Sequence, residues 1–93
     1  MLATTTCDSV EIDAPDGAAA LDLEHRLTYI APAAAVRGPC WFVDLSGPVD
    51  VEAVQVVVRA WLDDIGAMST VMWIDGGEHI LTSHRADYGD IIT

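Results

Sequence analysis

Four residues toward the end of this 93-residue sequence have the side chains that hold metals or move protons: Glu78, His79, His84 and Asp87. Histidine and carboxylate in one cluster suit zinc, which takes nitrogen and oxygen ligands in tetrahedral geometry. The spacing argues against a site, because His79 and His84 are five apart and fall on opposite faces of a continuous strand. Ser83, His84 and Asp87 have the residue types of a hydrolytic triad. They lack a nucleophile-elbow motif, and chain neighbours do not generally reach triad geometry. Cys7 or Cys40 could be paired with His25 as nucleophile and base, but nothing beside either cysteine would lower a thiol pKa. Gly76-Gly77 leads from one strand into another, so it lacks the helix N-terminus that binds phosphate. These residues assign no catalytic group, no metal site and no cofactor. A small metal-dependent or hydrolytic enzyme therefore ranks last among the expected functions.

Charge is the most unusual property of the chain. Fifteen acidic residues stand against four basic ones, all arginine (Arg26, Arg37, Arg59, Arg85), for a formal net charge of -11. Such a surface is unsuited to direct nucleic-acid binding, which depends on neutralising phosphates. Acidity of this degree fits simple solubility, life in high salt where repulsion is strongly screened, or a basic protein partner whose groove normally holds nucleic acid. A hydrophobic content of 52% with positive mean hydropathy opposes disorder. The length supports one core, and so a single domain over residues 1–93. No apolar run is long enough for a membrane span, and MLATTTCDSVEID lacks the basic and apolar regions of a signal peptide, so the cytoplasm is the expected location. Cys7 and Cys40 lack C-x-x-C spacing and read as two small apolar thiols.

The elements that would position these residues follow from periodicity. TTTCDSVEID (4–13) reads as a strand with Val10 and Ile12 inward, and APDG (14–17) as a turn. AAALDLEHRLTYI (18–30) fits two patterns. As a helix it gathers Leu23, Leu27 and Ile30 behind an Asp16 N-cap; as a strand it alternates Leu21, Leu23, His25, Leu27 and Tyr29 with polar residues. Alternation over nine residues favours the strand, making 4–30 a hairpin, and APAAAVRGP follows as a loop or short helical turn. CWFVDLS (40–46) is a strand apolar on both sides, with Trp41, Val43 and Leu45 opposed to Cys40 and Phe42. A helix is expected over 48–65, with Pro48 in its first turn, Val51, Val54, Val58, Trp61 and Ile65 on one face, and Gly66 as its stop. STVMWIDGGEHILTS reads as two strands joined at Gly76-Gly77, with Trp73 opposite Ile80, Met72 opposite Leu81 and Asp75 facing Glu78. HRADYGDIIT is a short edge strand or a frayed tail.

These elements predict an α+β domain with a mixed sheet of about five strands, ordered β-β-β-α-β-β along the chain, and one main amphipathic helix on one face. Strand 40–45, helix 48–65 and strand 70–75 form a β-α-β unit with interior strands and a right-handed crossover. One helix leaves the other face uncovered. Apolar burial contributes about 25 cal/mol per Å², so leaving several large side chains wet would sacrifice much of a margin of about 5–15 kcal/mol. A second copy packed sheet to sheet is the expected cover, with Cys40, Phe42, Met72 and Ile74 as interface residues. The expected function is a non-enzymatic, self-associating interaction or regulatory module with an acidic surface suited to high salt. The alternative is an acidic inhibitor that mimics nucleic acid in the groove of a basic protein, whose binding would weaken steeply as salt rises.

FVDLSG (42–47), followed by an amphipathic helix and a strand, resembles the central segment of STAS domains, the anti-sigma-factor-antagonist family, over roughly a third of the chain. Members switched by phosphorylation carry an Asp-Ser pair at the start of the next helix. Here the corresponding stretch is PVDVEA, with no serine after Ser46. The resemblance implies protein–protein regulation.

Overall fold

The computed structural model describes residues 6–31, 33–38 and 41–83. Its elements are β1 (Thr6–Asp13), α1 (Gly17–Leu27), β2 (Ala35–Arg37), β3 (Phe42–Asp50), α2 (Val51–Ile65), β4 (Ser69–Ile74) and β5 (Gly77–Thr82). The strands form one sheet in the order β2-β3-β1-β4-β5. The α+β class and the five-strand sheet agree with expectation. All pairings among the described residues are antiparallel, so the sheet is not mixed. The expected β-α-β unit is present in split form. β3 and β4 are both interior and run in the same direction, but β1 lies between them, just as β3 lies between β1 and β2.

Residues 18–31 correct the expected hairpin. Residues 17–27 are helical, and the Asp16 carboxylate caps the helix by accepting from the Ala19 N–H at 2.8 Å. Ala19, Ala20, Leu23 and Leu27 are buried, whereas Leu21 and Tyr29 are exposed. Strict alternation misled because residues four apart always share parity: 19, 23 and 27 satisfy a helical face and a strand face alike. Packing decided between them. A helix here covers the sheet beside α2, which a strand could not do. Arg26 falls in its last turn, where a cation complements the helix dipole.

α2 forms nearly as expected, burying Val51, Val54, Val58, Trp61 and Leu62 and ending at Gly66, whose φ of 76° is the left-handed cap. Its start is later than position 48. Asp50 is the N-cap, accepting from the Glu52 and Ala53 N–H groups, and Pro48 belongs to β3. The two helices are joined where the Trp61 indole N–H donates to the Ala19 carbonyl at 3.0 Å. Arg26 reinforces the joint, pairing with Asp22 on its own helix and with Asp64 on α2 at 2.7 Å.

Residues 35–37, expected as loop, form β2 at the sheet edge. The Glu24 carboxylate accepts the Val36 N–H at 3.1 Å, so α1 covers part of this short edge. At the other end of the sheet the β4–β5 turn is Asp75-Gly76, not Gly76-Gly77. Both residues have positive φ, 49° and 86°, as a tight hairpin of this kind requires. The register is therefore displaced by two residues: Trp73 pairs with Glu78, Met72 with His79, and Val71 with Ile80.

Asp75 is consequently removed from the expected confrontation with Glu78. Its Oδ1 accepts from the backbone N–H groups of Asp8 and Ser9 at 3.1 and 3.0 Å, and its own N–H donates to the Ser9 carbonyl. These bonds close the irregularity in β1 between Cys7 and Ser9. Asp75→Ala removes the acceptor and places a poor left-handed residue in the turn, so a loss of about 1–2 kcal/mol is expected. Asp75→Asn should retain most of that stability. Urea midpoints at constant m-value check both.

Candidate interaction surface

The pairing register sorts the sheet into two faces. Val10, Leu45 and Ile74 share one face with Ile12, Val43 and Met72, and this is the face on which the buried side chains of α1 and α2 pack. The opposite face carries Glu11 and Asp13 from β1, Phe42 and Asp44 from β3, and Arg37 from β2. β4 adds Val71 and Trp73, and β5 adds Glu78 and Ile80. Neither helix covers it. Ile80 is 70% exposed, and Phe42, Val71 and Trp73 are half-buried.

The centre of this open face is aromatic. Phe42 and Trp73 meet edge to face across β1, ring centroids 5.6 Å apart. The Arg37 guanidinium lies 4.8 Å from the Phe42 ring centroid and hydrogen-bonds Asp44 and Glu11, each at 2.7 Å. The hydrogen bond to Asp44, above all, holds the Arg37 pKa above its ordinary value. One cation thus stacks on an aromatic ring and ties three strands together, fixing the shape of the patch. Val71 and Ile80 also line an open groove of about 280 Å³ with Asp13, Pro15, Leu62 and Thr70, so the apolar surface continues around the sheet toward α2.

The sequence-derived interface residues are divided between the two faces. Phe42 lies on the open face. Met72 is fully buried under the helices and Ile74 packs against the same core, so neither belongs to the exposed surface. Cys40 lies outside the described residues. The physical reason for the correction is parity: Phe42 shares its side with Trp73 and Val71, the set opposite Met72 and Ile74. Trp73, Val71, Ile80 and Arg37 stand on the same open face, and carrying strand parity from β3 across its neighbours to β4 would have placed them beside Phe42.

Among the described residues considered for chemistry, no three gather at one place. His79 is exposed on β5, and His25 packs edge-on against Tyr29 on the solvent side of α1. Ser83 is buried, with its N–H bonded to the Met68 carbonyl, while His84 and Asp87 lie outside the described residues. Among the described residues no three histidine, cysteine or acidic side chains gather to hold a metal.

Cys7 is buried in β1, its Sγ 4.0 Å from the Val49 carbonyl. Burial first, then the charges of Asp75 and Asp8, push its thiol pKa up, opposed by a hydrogen bond from the Ser9 backbone. The folded state therefore keeps a proton that the unfolded state releases near the ordinary value of 9.0. The associated stability is fully present below that pH and declines as pH rises beyond it. In a Cys40→Ser chain, thiol reagents should modify Cys7 slowly when folded and rapidly in urea, and the urea midpoint should fall above about pH 9.

Much of the acidity has local structural work. Asp16 and Asp50 cap helices, Asp75 and Glu24 bind strand N–H groups, and Asp22, Asp64, Glu11 and Asp44 hold arginines. No helix among the described residues is long and apolar enough to cross a membrane. No protein-family description, curated protein or solved structure matches the chain.

Proposed function

We propose that this protein is a non-enzymatic interaction module of the cytoplasm that works as a homodimer through the open face of its sheet. The supporting observation is the Phe42–Trp73 pair, flanked by Val71 and Ile80, on the face opposite both helices. Aromatic side chains are the usual anchors of protein interfaces, and here they flank a central strand that carries Glu11 and Asp13.

A second copy suits this face because a two-fold axis would set the apolar groups of its two flanks against each other. Arg37 lies toward the β2 edge, whereas Glu78 and Ile80 lie at the β5 edge, with β1 between them. A two-fold axis along β1, between facing sheets, sets β2–β3 of one copy over β4–β5 of the other. Phe42 then approaches the partner's Val71. Contacts of this reciprocal kind define an isologous interface. Five strands about 4.8 Å apart and about 20 Å long present roughly 480 Å² per copy. The total of about 1,000 Å² is near the lower bound for a specific complex.

Light scattering in about 1 M sodium chloride, where charge repulsion is screened to about 3 Å, is expected to give twice the 9.9 kDa chain mass. Ile80→Asp should shift the population toward monomer without changing the circular dichroism. A wild-type monomer throughout the millimolar to micromolar range would reject the reading. The acidic-inhibitor alternative rests on the net charge of -11 and predicts instead a complex with a basic protein that weakens as salt is added.

A further inference from the structure

The same face that would join two copies carries charges that oppose their meeting. Glu11, Asp13, Asp44 and Glu78 project from it by register, against the single described cation Arg37. Asp8 and Asp75 add exposed carboxylates at the far end of β1. Arg37 is already shared by Glu11 and Asp44, so its charge is largely committed before a second copy arrives.

From this arrangement we infer that self-association is gated by salt: the carboxylates of the open face hold two copies apart at low ionic strength and permit the sheets to meet once screened. This rests on the homodimer proposed above. The interface is small enough for repulsion to decide the outcome, since about 1,000 Å² leaves only a modest surplus after the costs of association. At about 0.1 M salt the screening length is about 10 Å, the thickness of a sheet-to-sheet contact, so carboxylates on the two copies interact across the gap. At about 1 M it is about 3 Å, and their repulsion is confined to side chains in direct contact.

Asp13 and Glu78, unlike Glu11 and Asp44, are not among the carboxylates that hold Arg37. Those two positions give the test a direction. Neutralising Asp13 and Glu78 removes negative charge from both halves of the interface while leaving the Phe42–Trp73 centre and the Arg37 network in place. Glu52→Gln, at an exposed position of α2, makes a charge change on an element packed against the opposite face.

Sedimentation equilibrium would measure the dimer dissociation constant of the wild type, Asp13→Asn/Glu78→Gln and Glu52→Gln, over sodium chloride from about 0.1 to 1 M in the range where far-UV circular dichroism is constant. The wild type and Glu52→Gln are expected to tighten about tenfold or more across this range, and the double variant by less than about threefold, being already dimeric at the lower salt. Equal tightening of all three proteins would mean that salt acts through apolar burial, and would overturn the gate while leaving the dimer standing. A wild-type dimer that is insensitive to salt, or loosens with it, would do the same. Release of the salt dependence by Glu52→Gln to the same degree as by the double variant would overturn the assignment to this face. Absence of association in every protein at every salt would reject the dimer itself.

Discussion

Trp61→Ala is expected to cost about 3–5 kcal/mol, a large part of the roughly 5–15 kcal/mol by which a domain is stable. Trp61 is the largest fully buried side chain, and its removal opens a cavity between the two helices and the sheet. It also deletes the indole N–H bond to Ala19 that joins α2 to α1. Trp61→Phe separates these contributions, retaining most of the packing and losing the donor, at a cost of about 1–2 kcal/mol. Trp41 provides the contrast. It is 40% exposed and rests against Gly17 and Gly38, so Trp41→Ala should cost much less. Urea unfolding followed by circular dichroism measures all three. A Trp61→Ala midpoint near that of the wild type would contradict the packing described here.

The sharpest contrast is expected between adjacent residues of β4. Met72→Asp places a carboxylate on the fully buried face, among Ile12 and its neighbours, and should cost more than about 4 kcal/mol, enough to leave much of the protein unfolded. The cross-strand neighbour His79 is exposed and offers no buried cation to compensate. Trp73→Asp changes the opposite face. It should leave the fold intact while weakening the proposed self-association by more than about thirtyfold, the loss expected when an interface anchor worth about 2 kcal/mol is removed. Circular dichroism and sedimentation together distinguish the outcomes, and unfolding by Trp73→Asp with tolerance of Met72→Asp would invert the face assignment.

α2 was legible because independent signals coincide, apolar residues at 51, 54, 58 and 61 on one face and a glycine able to adopt the left-handed cap, although Pro48 drew its start forward of the Asp50 N-cap. α1 was ambiguous for a geometrical reason, since its inward positions 19, 23 and 27 obey both periods, and only the need to cover the sheet separates them. β2 is three residues long and contains one β-branched side chain, too little for a periodic signal. The open surface was half legible. Phe42 was found from its own strand, but its companions depended on β1 lying between β3 and β4, which relates the parity of one strand to the other. Tertiary order of this kind is absent from local patterning.

The placement of β1 at the middle of the sheet has a consequence for synthesis. It is the first strand of this sheet to be synthesised and the one both inner neighbours need, yet the bond between Ser9 and Asp75 spans 66 residues. At translation rates of about 5–20 residues per second, a nascent Val10 and Ile12 wait roughly 3 to 13 s for the last of their shelter. Asp8, Glu11 and Asp13, interspersed with them, act as gatekeepers during that interval, keeping an unpaired greasy ribbon from finding another chain.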